Sequence, residues 1–176
     1  DDVNEWASTH GFTENELAWI QPGYPPNVPW AAMGGGTNGE VKELLRLSNG
    51  DMLVAGAFTQ AGNTNANFVA RYNGTTYTAM PGFPEGEIRA AIEFNGVIHV
   101  GGTFGNGVTD LAKWNGSSWT VEAVFSSKYA EIHDLHIKDE VLYAAGASSG
   151  FAGVSYQVQR LSNGTWDYVG QSLNGI

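Results

Sequence analysis

Short apolar segments separated by glycine-rich turns recur along residues 40–170. Three of them carry glycine inside the apolar run, namely MLVAGAF at 52–58, IHVGGTF at 98–104 and LYAAGAS at 142–148. Runs that are small and apolar on both faces are typical of strands packed between neighbouring sheets. Near-alternation at Ile132, Leu135 and Ile137 predicts a further strand in front of the third run. The pattern therefore predicts an all-β fold.

The segments repeat as a unit of four strands. Each glycine-bearing run follows another strand and precedes an Asn-Gly pair and then an aromatic residue, and these aromatics (Tyr77, Trp119 and Trp166) lie 42 and 47 residues apart. Four strands in a repeat of this length are the size of one propeller blade. We predict three blades of four antiparallel strands, at about 40–80, 87–123 and 131–170. Trp30 marks an extra strand at 29–33, and VKELLRL at 41–47 also allows a helical interpretation.

The Asn-Gly pairs admit two interpretations. Each continues as N-G-[ST], at Asn73, Asn115 and Asn163, so each matches the acceptor pattern for N-glycosylation. Each also lies between the third and fourth strands of its repeat, where Asn-Gly supplies the two positive-φ residues of a type I′ hairpin turn. The turn interpretation is favoured. Both interpretations can hold only if the chain passes through a glycosylating compartment.

Residues 1–28 differ from the repeats. Thr13-Glu14-Asn15-Glu16 has a capping-box pattern, which predicts a short helix at 14–20, and YPPNVP predicts an extended linker after it. We expect this N-terminal segment to dock on the blades or on a partner through its apolar side chains, with Trp6, Phe12 and Trp19 as the candidates.

The stretch ARYNGTTYTAMPGFPEGEIRAAIEFNGVIHVGG resembles the kelch pattern: an aromatic, a Pro-containing link, an R-x-x-x strand, an NG turn and a strand ending in GG. The form GGTF…LAKWNGSSWT is similar to the kelch-like repeats of secreted bacterial surface proteins and phage tail proteins. The resemblance covers roughly residues 29–176 and implies a galactose-oxidase-type β-propeller. Known propellers have at least four blades, so three blades imply a longer chain, a homo-oligomer, or closure by residues 1–28.

Composition narrows the function. The net charge is −10 with only eight basic residues, which disfavours nucleic-acid partners, and no apolar run is long enough for membrane insertion. The chain has no cysteine, which removes thiolate metal sites, cysteine nucleophiles and the cysteine-linked tyrosine of galactose oxidase. Asp134 and His136 would share one face of a strand, whereas His133 and His136 would not. We predict no metal, no cofactor and no catalytic residues.

The connections between the second and third strands differ most between repeats and are rich in Asn, Gly and Thr. Amide and carboxylate groups beside an aromatic ring suit sugar binding, because they offer paired hydrogen bonds and a stacking surface. The candidate ligand-binding residues are Asn63, Asn65, Asn67, Asn106, Asp110 and Tyr156.

These observations favour a non-enzymatic, extracellular binding or scaffolding module that engages a surface glycan or a protein partner. The setting expected from the resemblance is a secreted bacterial protein or a phage virion. A self-assembling subunit, or a fragment of a larger adhesin or tail-fibre propeller, is the alternative. A glycan-active enzyme would need one unrepeated carboxylate cluster, whereas Glu40, Glu87 and Glu131 recur at one position of the repeat.

Overall fold

The computed structural model describes residues 32–105, 109–125, 130–150, 153–170 and 173–174. All strands of the described residues lie in one unit, Met33–Ile176. In chain order they are β1 (Glu40–Arg46), β2 (Met52–Ala57), β3 (Gln60–Ala61), β4 (Thr64–Asn65), β5 (Val69–Tyr72), β6 (Tyr77–Ala79), β7 (Gly86–Phe94), β8 (Val97–Phe104), β9 (Thr109–Trp114), β10 (Trp119–Glu122), β11 (Glu131–Lys138), β12 (Val141–Gly150), β13 (Gly153–Ser162), β14 (Thr165–Tyr168) and β15 (Leu173–Asn174).

Three sheets carry the fold, and each takes four strands that pair antiparallel in chain order. The first sheet is β1-β2-β5-β6, the second is β7-β8-β9-β10, and the third is β11-β12-β13-β14 with β15 paired to β13. A small hairpin, β3-β4, lies in the connection between β2 and β5. The all-β prediction and its three four-stranded units are confirmed. No closed ring of sheets is identified among the described residues.

Two expectations at the start of the chain have different outcomes. The extra strand predicted at 29–33 is wrong at its described end, where Met33–Gly35 forms a short 3-10 turn. Gly34, Gly35 and Gly36 all have positive φ, which an extended strand does not allow. The predicted helix at 14–20, the docking segment 1–28 and its boundary lie outside the described residues.

Successive sheets contact each other through their first strands. β7 contacts both β1 and β11, and β11 also reaches β8 and β9. The apolar cluster between the first two sheets includes Leu53, Ala55, Val69, Ile88, Val100 and Ala112. The cluster between the second and third sheets includes Ala90, Leu111, Ile132, Leu135 and Ala144. The second sheet is therefore covered on both faces, as the doubly apolar pattern of its glycine-bearing strand predicts.

The three Asn-Gly turns do not share one geometry. Asn163 and Gly164 have φ of 50° and 82°, which fits the predicted type I′ turn. The type I′ prediction is wrong at Asn73 and Asn115, because only the glycine of each pair has positive φ. There the asparagine side chain holds the turn instead: Asn73 Oδ1 accepts hydrogen bonds from the backbone amides of Thr75 and Thr76, at 3.0 and 2.9 Å.

An aromatic side chain ties the fourth strand of a sheet to the link that precedes that sheet. The Tyr77 hydroxyl donates to the Met33 carbonyl oxygen at 2.8 Å, and Trp119 Nε1 donates to the Met80 carbonyl oxygen at 3.2 Å. Tyr77 also packs on Tyr72, its cross-strand partner, with ring centroids 4.8 Å apart. In each of these two sheets, a hydrogen bond thus links the fourth strand to the segment that leads into the sheet.

Candidate functional site

Each first strand contains a β-bulge two residues after its recurring glutamate, which is Glu40, Glu87 or Glu131. The register shifts between Val41 and Glu43, between Ile88 and Ala90, and between Ile132 and Asp134. The extra residue is basic in the first two sheets and a histidine in the third: Lys42, Arg89 and His133. A bulge re-aims side chains and bends its strand, so all three sheets present a nitrogen-bearing side chain at an equivalent place.

A glycine opposite each bulge makes room for it. Gly56, Gly102 and Gly146 pair with the residue just before the bulge in the first, second and third sheets. A Cβ at any of them would overlap the carbonyl oxygen of the recurring glutamate on the facing strand, which is Glu40, Glu87 or Glu131. The recurring glycine of the repeat therefore exists because the two backbones approach too closely for a side chain.

The bulged residues line one cleft together with Glu87 and Ile88 of the second sheet. This charged cleft has a volume of about 280 Å³ and is lined by Lys42, Glu87, Ile88, Arg89 and His133. Arg89 Nη2 lies 3.2 Å from a carboxylate oxygen of Glu87 and 3.2 Å from one of Glu131, so it bridges the second and third sheets.

The remaining basic groups of the charged cleft are paired as well. His133 Nε2 lies 2.7 Å from Glu131, and Lys42 Nζ lies 3.3 Å from Glu40. Because these groups are partly exposed, each pair contributes little to folding. Together they offer both donors and acceptors to a polar ligand.

One carboxyl group next to the bulge has a shifted pKa. Partial burial raises the pKa of Glu43, the Leu44 amide opposes that shift, and the negative charge of Asp134 adds to it. Asp134 holds the same register position in the third sheet that Glu43 holds in the first. The negative charge of Asp134 therefore acts on Glu43 from the first strand of a different sheet.

The hairpin β3-β4 stands at the same end of the first sheet as the charged cleft, because β1 starts beside the end of β2. Asn38 fixes this hairpin: its Oδ1 accepts from the backbone amides of Thr59 and Gln60, both at 2.9 Å, and its Nδ2 donates to Thr59 Oγ1 at 2.8 Å. The Gly62 amide adds a bond to the Gly36 carbonyl oxygen at 2.7 Å. The hairpin is thus tied to the segment before β1.

Three of the predicted ligand-binding residues lie together on this hairpin. Asn63 is in its turn, Asn65 is in β4 and Asn67 follows β4, and all three are exposed. Tyr156 is also exposed, but it lies within β13 of the third sheet, because β12 and β13 extend further than predicted. Asn106 lies outside the described residues, as do the docking candidates Trp6, Phe12 and Trp19.

Asp110 was predicted to bind a ligand from an exposed loop, but the structure places it elsewhere. It lies in β9 and is fully buried. Its two carboxylate oxygens accept hydrogen bonds from the backbone amides of Val124 and Phe125, at 2.6 and 2.8 Å. Burial raises the pKa of Asp110, and the amides of Phe125 and Val124 oppose that shift. The carboxylate therefore points inward and stabilises the link that leads into the third sheet, instead of facing solvent.

The predicted sharing of a face by Asp134 and His136 is confirmed, since both line one cavity on the third sheet. No group of three or more potential metal ligands occurs in the part of the chain that the structure describes. Within that part, no helix is long and apolar enough to cross a membrane.

Sequence reasoning missed the charged cleft, although it noticed the recurring glutamates. The available signal was the basic residue or histidine two positions after each glutamate, at Lys42, Arg89 and His133. A bulge shifts by one residue the alternation of side chains between the two faces of a strand. A prediction that assumes strict alternation therefore assigns these three side chains to ordinary strand faces.

No protein-family model matches the sequence, and no curated protein matches it significantly.

Proposed function

We propose that the chain is a non-enzymatic binding module built of kelch-like, propeller-type blades. Its ligand surface is the end of the sheets that carries the hairpin β3-β4 and the charged cleft. The ligand class is a glycan presented on a surface.

The observation that carries this proposal is the placement of Asn63, Asn65 and Asn67 on a hairpin held by Asn38. Side-chain amides match sugar hydroxyls because each offers a donor and an acceptor. A hairpin that is already tied in place loses less conformational entropy on binding than a free loop does. The neighbouring charged cleft adds Lys42 and Arg89 as donors for an acidic sugar.

A non-enzymatic role is supported by the symmetry of the carboxylates. Glu40, Glu87 and Glu131 recur two residues before the bulged residue of each first strand, and each has a basic group or a histidine within 3.3 Å. A glycosidase needs two carboxyl groups with distinct protonation states at one place. Repeated, ion-paired glutamates fit a structural and binding role better.

An extracellular setting, on a secreted bacterial protein or a phage virion, belongs to the same proposal. It is supported by the acidic composition and by the resemblance of the repeats.

The proposal is tested on an array of defined oligosaccharides with the intact chain. We expect a subset of glycans to be retained, and the triple variant Asn63→Ala, Asn65→Ala, Asn67→Ala to lose at least about tenfold in affinity. Asn49→Ala is the control, since Asn49 is exposed at the opposite end of the first sheet.

Three results would count against the proposal. Retention of glycans by the triple variant would remove the hairpin from the binding surface. Capture of proteins but no glycans would change the ligand class. Turnover of a bound glycan, seen by mass spectrometry, would show that the module is an enzyme.

A further inference from the structure

The contact between the second and third sheets shows which side chains pack where one sheet covers the next. Ile132 and Leu135 of β11 lie on Gly101 of β8: a Cβ placed on Gly101 would be 3.0 Å from Ile132 Cβ and 3.4 Å from Leu135 Cδ1. Leu111, the cross-strand partner of Gly101, is fully buried beside them. A β-branched or leucine side chain from the first strand thus covers a small residue of the previous sheet.

The third sheet has the receiving half of this contact, and among the described residues no sheet covers it. Ala145 and Val158 are cross-strand partners in the register positions of Gly101 and Leu111. Val69, at the same position of the first sheet, is fully buried, whereas Val158 is 41% exposed. A cavity of about 230 Å³ lies here, lined by Asp134, His136, Lys138, Tyr143, Ala145 and Val158.

Alternation along β13 independently marks this face as one built for burial. Val154, Tyr156 and Val158 alternate with Ser155, Gln157 and Gln159. The apolar set is 47%, 55% and 41% exposed, whereas Gln159 is buried. A sheet with one face in water normally shows the opposite pattern, apolar inside and polar outside.

The first sheet carries the side chains equivalent to those that β11 packs on the second sheet, and they are exposed. Val41 and Leu44 of β1 hold the positions of Ile132 and Leu135 relative to the bulge. Ile132 and Leu135 are buried, but Val41 and Leu44 are 40% and 53% exposed.

The ion pair at the internal contact also has an equivalent at the open faces. In the internal contact, Glu131 of the third sheet reaches Arg89 of the second at 3.2 Å. The equivalent pair at a new contact would join Glu40, whose side chain is 65% exposed, to His133. The open faces therefore match in shape and in polar partners.

We propose that a second copy of this chain covers the third sheet, with its Val41 and Leu44 seated on Ala145 and Val158. Both halves of the interface are on one chain, so two copies related by a two-fold axis make the contact twice. Six sheets would then form one ring, and six lies within the four to eight blades of known propellers. The interface continues the sheet-to-sheet contact already formed twice within the chain.

The first test is the mass of the intact chain by light scattering after size exclusion. We expect a dimer of twice 18.8 kDa. Leu44→Arg and Val158→Arg should each weaken dimerisation at least about 100-fold, because each would bury an unpaired charge, while circular dichroism stays unchanged. Both side chains are exposed within one chain, so the variants should fold.

The second test uses the absence of cysteine. Val41→Cys with Ala145→Cys places cysteines at the positions equivalent to Ile132 and Gly101, where the backbones approach closely: a Cβ on Gly101 would lie 3.0 Å from Ile132 Cβ, somewhat less than the roughly 3.5–4.5 Å of a disulfide. The double variant should oxidise to a covalent dimer on a non-reducing gel. Each single-cysteine variant is the matched control and should stay uncrosslinked.

Two sets of outcomes overturn the proposal. A monomer at all concentrations would mean that the face is covered within a chain or by another partner. A dimer that survives both arginine substitutions and fails to crosslink would use another surface.

Discussion

The second and third sheets share their strand order, the bulge in the first strand and the glycine opposite it, yet they differ in burial. Leu111 and Val158 hold the same position, and one is fully buried whereas the other is 41% exposed. The backbone of a sheet is therefore set by its own repeat, whereas the burial of its side chains depends on which sheet follows. Substitutions can separate these two contributions.

The largest effect should come from the feature that the sheets share. Gly102→Ala should lower the free energy of unfolding by about 4 kcal/mol or more, because its Cβ would overlap the backbone of Glu87. Gly101→Ala is the matched control and should cost about 1–2 kcal/mol, since its Cβ meets the Ile132 side chain, which can shift. Urea unfolding measures both, and equal losses would contradict the role of Gly102.

The second effect concerns the feature that differs between the sheets. Leu111→Ala should cost about 3 kcal/mol because it opens a cavity between two sheets. Val158→Ala, on the open face, should cost about 0.5 kcal/mol in dilute protein. Thermal or urea unfolding at low concentration distinguishes them. A large loss at Val158 in the monomer would show that its face is covered within one chain.

The smallest of the three effects tests what holds the third sheet to the second. Asp110→Ala should cost about 2 kcal/mol, because the amides of Val124 and Phe125 lose their acceptors. The exposed carboxylate Asp134 gives the control, and Asp134→Ala should cost less than about 0.5 kcal/mol.

The Asp110 substitution also predicts a pH dependence. Burial raises the pKa of Asp110 in the folded chain above its usual value of 3.8. The stability that this shift contributes is fully present below that value and is lost as the pH rises through the folded pKa. The stability difference between the wild type and Asp110→Ala should therefore shrink as the pH rises from below 3.8 through the folded pKa. A difference that grows with pH would mean that the amides outweigh burial.

Much of the fold could be predicted from the sequence because its signals are local. Apolar runs, Asn-Gly pairs and aromatics are short-range features, and they predict strands at roughly 97–104 and 131–138, which are the observed bounds of β8 and β11. The hairpin β3-β4 was predicted as a loop, since its polar strands of two residues each have no apolar alternation.

The candidate site was less predictable because it depends on pairing. A bulge is a property of two strands in register, so the pattern of β1 alone does not reveal that Lys42 is the extra residue. Asp110 borders a polar connection in the sequence, yet its carboxylate turns inward to amides 14 and 15 residues later. Exposure at Asn63, Asn65 and Asn67 was predictable, because polar hairpin tips stay at the surface.

The aromatic ties from Tyr77 to Met33 and from Trp119 to Met80 have a practical consequence for protein engineering. A transplantable cassette begins at the link residue and ends after the fourth strand, so it runs from Met33 to Ala79 and from Met80 to Glu122. A graft cut at the start of β1 or β7 would separate the aromatic from its acceptor. Chimaeras joined at Met33 or Met80 should therefore inherit a complete four-stranded sheet together with its aromatic tie.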